Sequence, residues 1–131
     1  MTFTFKEVES ALNLAVDTKG EDYVYELPEP ATCAYSMPGP GEPQPSCIVG
    51  HVIHTLDPEA FKLIASREWK GERFMHSSSV GAIENTFEVE LWDPQQKEKI
   101  VNFLGYAQNR QDMGRNWGSA REAAYAAIGE H

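Results

Sequence analysis

Residues 45–56 constrain the fold of this chain more than any other segment, because of the loop that precedes them. Residues 38–45 contain four prolines and two glycines, and such a stretch forms neither a helix nor a central strand. A new element therefore begins after it, with Ser46 expected as the N-cap of a helix. The apolar residues of this segment fall on one side of a helical wheel; they are Ile48, Val49, Val52, Ile53 and Leu56. The sequence predicts a short central helix with this side in the core.

The other side of the predicted helix carries Cys47, His51 and His54, within about 60° of each other on the wheel. Three interpretations compete. The favoured one makes Cys47 a small buried residue beneath a neighbouring strand, with the two histidines partly exposed. A second joins Cys33 to these three residues in a zinc site, although the Cys-x2-Cys pair of common structural sites is missing. In the third, Cys47 is a catalytic nucleophile and His51 its base, but the sequence shows no orienting group or oxyanion donor. We expect no cofactor, with zinc as the alternative.

Length and composition indicate one domain, residues 1–131. The chain has no apolar run long enough to cross a membrane and no basic leader at its start, so we expect a cytoplasmic protein without membrane contact. Its two cysteines, Cys33 and Cys47, are then expected as thiols rather than a disulfide.

The charge is unevenly distributed along the chain. The net charge is −9, and between Glu7 and Phe61 ten acidic residues stand against one basic residue, Lys19. An acidic surface repels phosphate backbones, so nucleic-acid binding is not expected. The acidic portion suggests instead a basic protein partner, or a mimic of DNA directed at a DNA-binding protein.

Periodicity and capping signals predict the remaining elements. The predicted helices cover residues 5–18, 58–69, 79–85, 94–113 and a last segment from Asn116. Alternating residues predict strands at 23–27 and 32–37, paired as a hairpin. Residues 86–92 alternate too and are either a third strand or an extended connection. Residues 70–78, including His76, are expected to form a solvated loop.

The last two predicted helices flank a tight turn at Gly114. A group of polar and aromatic residues near this turn is expected to form a structural network that fixes it; its members are Gln108, Gln111, Asp112 and Trp117. A helix-turn-helix DNA reader is the alternative, with Arg110, Arg115 and Arg121 as available cations. The alanine-rich last helix offers few side chains that read bases, so a packed helical hairpin is favoured.

Two motifs carry a resemblance to a known group of proteins. They are Pro-Ser-Cys-Ile-Val-Gly-His at residues 45–51 and Ala-Gln-x-x-Gln-Asp-x-Gly-x-x-Trp-Gly-x-Ala at residues 107–120. The chain resembles small uncharacterised proteins of actinobacterial phages, such as mycobacteriophages, and of their hosts, over its first 56 and about its last 30 residues. Residues 57–95 show no match. The resemblance implies a phage-type protein of the host cytoplasm, without an established activity, in which the two motifs belong to one module and meet in space.

These observations predict an α+β fold: a mostly helical single domain with a small antiparallel hairpin packed on a helical bundle. The expected function is non-enzymatic binding of a host or phage protein. The alternatives are a Cys/His site at Cys47 and His51, holding structural zinc or performing thiol chemistry, and an acidic DNA mimic.

Overall fold

The computed structural model describes residues 2–26, 34–37, 41–70, 73–74 and 78–130. Their helices are α1 (Phe5–Lys19), α2 (Ile48–Leu56), α3 (Pro58–Glu68), α4 (Ile83–Phe87), α5 (Lys97–Asp112) and α6 (Trp117–Ala127), with a 3₁₀ helix at Val80–Ala82. Strand β1 (Ser36–Met37) pairs antiparallel with β2 (Gln44–Pro45), and β3 (Trp69–Lys70) with β4 (Arg73–Phe74). The predicted fold class, mostly helical α+β, is confirmed.

The core is built around α2, as the apolar side of its sequence predicts. Ile48, Val49, Val52 and Ile53 are fully buried, and α2 packs against α1, α3 and α5. One buried cluster extends from Phe3 to Ala124 and includes side chains of all six helices. Within the described residues, no helix combines the length and apolarity needed to span a bilayer.

Local capping signals place three helix starts correctly. Thr4 and Glu7 form a reciprocal capping box at the start of α1, which satisfies two amides that have no partner within the helix. The Asp57 side chain accepts from the Ala60 amide at the start of α3. Asn116 caps α6 in the same way.

The prediction that residues 23–27 and 32–37 pair as a hairpin is wrong, because the described residues of the two segments do not pair with each other. Residues 23–26 form no strand, because backbone carbonyls of this part of the chain bind amides at the start of α6. The Tyr23 carbonyl accepts from the Trp117 amide at 2.9 Å, and the Glu21 carbonyl accepts from the Gly118 amide at 2.8 Å. β1 pairs instead with β2, so Gln44 and Pro45 belong to a strand rather than to the predicted loop. Residues 27–33 lie outside the described part.

Three further boundaries differ from the predictions. Residues 94–96 form a turn before α5, because the Asp93 carbonyl accepts from the Gln96 amide at 3.0 Å. α4 extends to Phe87, and of the two alternatives for residues 86–92 the extended connection is the one found after it, with Trp92 in an isolated parallel bridge to Phe3. Residues 70 and 73–74, predicted as loop, belong to the β3–β4 hairpin, while His76 lies outside the described residues.

Candidate functional site

Cys47, rather than the predicted Ser46, is the N-cap residue of α2. Its sulfur accepts a hydrogen bond from the Gly50 amide, with 3.4 Å between Sγ and N. The side chain of Ser46 is engaged elsewhere, since its oxygen lies 2.6 Å from the Tyr25 hydroxyl oxygen. Cys47 is 0% exposed, and its amide donates to the Ala34 carbonyl at 3.2 Å. The favoured interpretation of Cys47, a buried residue beneath a neighbouring segment, is therefore confirmed.

His51 is half-buried and directs one ring nitrogen to the backbone of Cys47, not to its thiol. Its Nδ1 lies 3.0 Å from the Cys47 carbonyl oxygen. Because a carbonyl oxygen only accepts, Nδ1 donates, and the lone pair of the neutral ring is on Nε2. Burial lowers the pKa of His51 below its ordinary value, against the raising effect of this hydrogen bond. The imidazole is therefore built into the fold as a neutral, oriented group.

The two histidines of α2 contact different neighbours. The His51 ring packs edge-to-face on Trp117 of α6, with 5.2 Å between ring centroids, whereas the exposed His54 packs on Phe61 of α3 at 5.0 Å. Among the residues that the structure describes, no three His, Cys, Asp or Glu side chains are grouped to hold a metal ion. Cys33, the fourth member of the hypothetical zinc set, lies outside those residues.

The two sequence motifs meet at Gln111. The Ile48 amide at the start of α2 donates to Oε1 of this buried side chain at 2.7 Å. Nε2 of Gln111 donates to an Asp112 carboxylate oxygen at 2.9 Å, and burial raises the pKa of Asp112. Gln108 is also buried, as predicted. Of the predicted network, Gln111 and Asp112 are hydrogen-bonded to each other and Gln111 attaches α5 to the start of α2, whereas Trp117 packs on His51.

A glycine in each motif permits a close approach of backbone. A Cβ on Gly50 would overlap the Tyr35 carbonyl oxygen and lie 2.8 Å from its carbonyl carbon. A Cβ on Gly118 would lie 2.9 Å from the Cβ of Glu21. Both glycines are required for packing, so the motif residues described so far have structural roles.

Sequence reasoning missed a second buried polar cluster, around Glu68. This carboxylate is 1% exposed and accepts from the amides of Tyr35 and Ser36, each at 2.8 Å, and from the Ser36 hydroxyl at 2.6 Å. Burial raises the pKa of Glu68, opposing the three hydrogen bonds that lower it. The signal was present in the sequence, because Glu68 continues the buried stripe of α3 at Phe61, Ile64 and Ala65. The cluster attaches β1 to α3 and leaves no carboxylate edge for a substrate.

One exposed side of α5 carries only uncharged residues. A groove of about 530 Å³ runs between α5 and the 3₁₀ helix, and none of its lining residues is charged; they are Ser79, Val80, Gly81, Val101, Asn102, Gly105, Tyr106 and Asn109. Tyr106 is 48% exposed, and Met113, on the same side of α5, is 61% exposed. We call the surface formed by Asn102, Gly105, Tyr106, Asn109 and Met113 the α5 face.

Two other surface grooves carry charges of both signs. The groove between α3 and the segment before β2 includes Glu42 and Lys62, which form an ion pair at 3.5 Å. The groove between α1 and α2 includes Lys6 and Glu7 beside the exposed Leu14. The side chains that form the α5 face are therefore all uncharged, on a chain of net charge −9. The sequence signal of this face is the absence of charge from residues 100–109.

Comparison with known proteins adds no relative to these observations. No family model, no curated protein and no solved structure matches the chain at a significant level.

Proposed function

We propose that this protein is a non-enzymatic binding module that attaches to another protein through the α5 face. One observation carries the proposal: this exposed groove has an uncharged lining on a strongly acidic chain. The cores of protein interfaces are depleted in Lys, Glu and Asp and enriched in Tyr and Met, and the α5 face has that composition. Burying a charged surface requires a paired countercharge, whereas this one buries apolar groups and two amide side chains that need only hydrogen-bond partners.

The chemistry of the Cys/His alternative finds less support. A nucleophilic thiol must reach its substrate, but Cys47 is fully buried and its sulfur accepts a helix amide. His51, the proposed base, donates from Nδ1 to a backbone carbonyl and packs on Trp117. These contacts give both residues roles in folding.

The resemblance to proteins of actinobacterial phages suggests the compartment and the kind of partner. We place the protein in the host cytoplasm, with a host or phage protein as its partner. The DNA-mimic hypothesis is a separate alternative, because it uses the acidic residues between Glu7 and Phe61 rather than the neutral α5 face. Binding through a mimic would not depend on Tyr106, whereas binding through the α5 face requires it.

Affinity capture from an actinobacterial lysate with two charge-introducing variants tests the proposal. Tyr106→Glu places a charge in the α5 face, and Leu14→Glu is the matched control, because Leu14 is similarly exposed, 53%, on α1. We expect the wild type and Leu14→Glu to retain the same partner and Tyr106→Glu to lose it. Retention by Tyr106→Glu together with loss by Leu14→Glu would reject the α5 face as the binding surface.

A further inference from the structure

Two arginines, Arg110 and Arg115, lie at the end of α5 beside the groove and form no ion pair within the described part of the chain. Five cationic side chains of the described residues form ion pairs with carboxylates; they are Lys62, Arg67, Lys97, Lys99 and Arg121. Arg110 and Arg115 form no such pair with any residue that the structure describes. Lys6 and Lys19 of α1 form none with the described residues either, so what distinguishes the two arginines is their place in the turn at the end of α5.

Contacts of Arg110 place its charge at the groove. Its Nη1 donates to the side-chain oxygen of Asn109 at 2.9 Å, and Asn109 lines the groove. The same nitrogen lies 3.7 Å from the sulfur of Met113. Arg115 is exposed, and its amide donates to the Arg110 carbonyl at 3.1 Å. The acidic residue of this turn, Asp112, is hydrogen-bonded to Gln111 instead.

We infer that the α5 groove binds an acidic peptide segment of the partner protein, with Arg110 and Arg115 pairing with its carboxylates. This inference rests on the proposed function and names the chemistry of the partner. The groove spans about 10 Å along α5 from Asn102 to Asn109 at 1.5 Å per residue, the length of three or four residues in an extended chain. Uncharged side chains of the segment fill this length, and one or more Asp or Glu residues follow beside the arginines, where guanidinium–carboxylate pairs form.

Charge also argues against a second copy of this chain as the occupant. Two copies would bring together chains of net charge −9, and self-repulsion of this size opposes association. An acidic segment on a partner of lower overall charge avoids most of that repulsion and is attracted by the arginine pair.

The test is selection of binding peptides from a random 12-residue library displayed on mRNA, with the full-length protein as target. We expect the selected peptides to be enriched in Asp and Glu next to aliphatic or aromatic residues. A fluorescein-labelled peptide from the selection then serves as the probe in anisotropy titrations. Its affinity should fall by about 30-fold or more in the double variant Arg110→Glu/Arg115→Glu. The control Lys6→Glu/Lys19→Glu, with the same change in charge on α1, should change the affinity by less than about threefold.

The outcomes separate this inference from the proposed function. The inference would be overturned if the selected peptides were not enriched in Asp and Glu and their binding were unaffected by Arg110→Glu/Arg115→Glu. If that binding still depended on Tyr106, the α5 face would remain the binding surface. Peptides whose binding is unaffected by Tyr106→Glu would overturn both. The inference would also be overturned if the free protein sedimented as a dimer and Tyr106→Glu dissociated it. That result would assign the groove to a second copy of the chain.

Discussion

Replacement of Gly50 by alanine tests whether the central helix depends on backbone contact with the Tyr35 segment. The added methyl group would overlap the Tyr35 carbonyl oxygen and lie 2.8 Å from the carbonyl carbon. Neither atom belongs to a flexible side chain, so the segment itself must move. That movement breaks two hydrogen bonds, from the Ser46 amide to Tyr35 and from the Cys47 amide to Ala34.

These effects give a net loss of stability. The two hydrogen bonds contribute about 1 kcal/mol each, and overpacking adds about 1 to 3 kcal/mol. Alanine gains roughly 1 kcal/mol over glycine in helix propensity. We therefore expect Gly50→Ala to lower the free energy of unfolding by about 2 to 4 kcal/mol.

A second helical glycine provides a control of opposite sign. A Cβ on Gly105 meets nothing within 4 Å, so Gly105→Ala should raise the free energy of unfolding by about 0.5 to 1 kcal/mol. Urea unfolding followed by tryptophan fluorescence measures both variants, provided that the denaturant dependence is unchanged. If Gly50→Ala were as stable as the wild type while Gly105→Ala gained stability, the close approach of α2 to the Tyr35 segment would be refuted.

Three predictions concern the buried polar groups. Because burial raises the pKa of Glu68 above 4.5, its contribution to stability is present below pH 4.5 and falls as the pH rises through the raised pKa. Glu68→Gln should lack this pH dependence and lower the free energy of unfolding by about 1 to 3 kcal/mol near neutral pH. Parallel pH profiles of the variant and the wild type would contradict the assignment. Because burial lowers the pKa of His51 below 6.5, its contribution to stability is present above pH 6.5 and is lost as the pH falls through the lowered pKa. A His51 pKa of 6.5 or more in an NMR titration would show this prediction to be wrong. Iodoacetamide should label the buried Cys47 at least about 100-fold more slowly in the native than in the urea-unfolded chain, and equal rates would show that the thiol is exposed.

Structure that depends on neighbours in sequence could be predicted well. The capping box at Thr4 and the caps at Asp57 and Asn116 use side chains three residues from their amide partners. The apolar stripe of α2 likewise follows from its own periodicity. Such signals are contained in a single window of sequence, so they gave the helices and their order.

Structure that depends on distant partners could not be predicted in the same way. Ser46 has the better capping side chain, but Tyr25 engages its hydroxyl, and the helix begins one residue later at Cys47. The alternation of residues 23–27 indicated a strand, but backbone groups of this segment bind the start of α6. Competition for hydrogen-bonding groups between distant segments decided both outcomes.

The candidate site shows the same division. The Cys47 and His51 pattern attracted attention because both residue types carry chemistry, whereas the structure gives each a role in packing. The α5 face consists of Asn, Gly, Tyr and Met residues, which match no catalytic motif. Its distinguishing property, exposure without charge, appears only when the helix is placed against its neighbours.

Site-specific photocross-linking tests the central claim, binding through the α5 face, most directly. A benzophenone amino acid is placed at position 106 in one variant and at position 14 in another, and each variant is irradiated in actinobacterial cells. We expect a discrete protein adduct from position 106 and none from position 14, although Tyr106 and Leu14 have similar exposure. Adducts from position 14 with none from position 106 would contradict it.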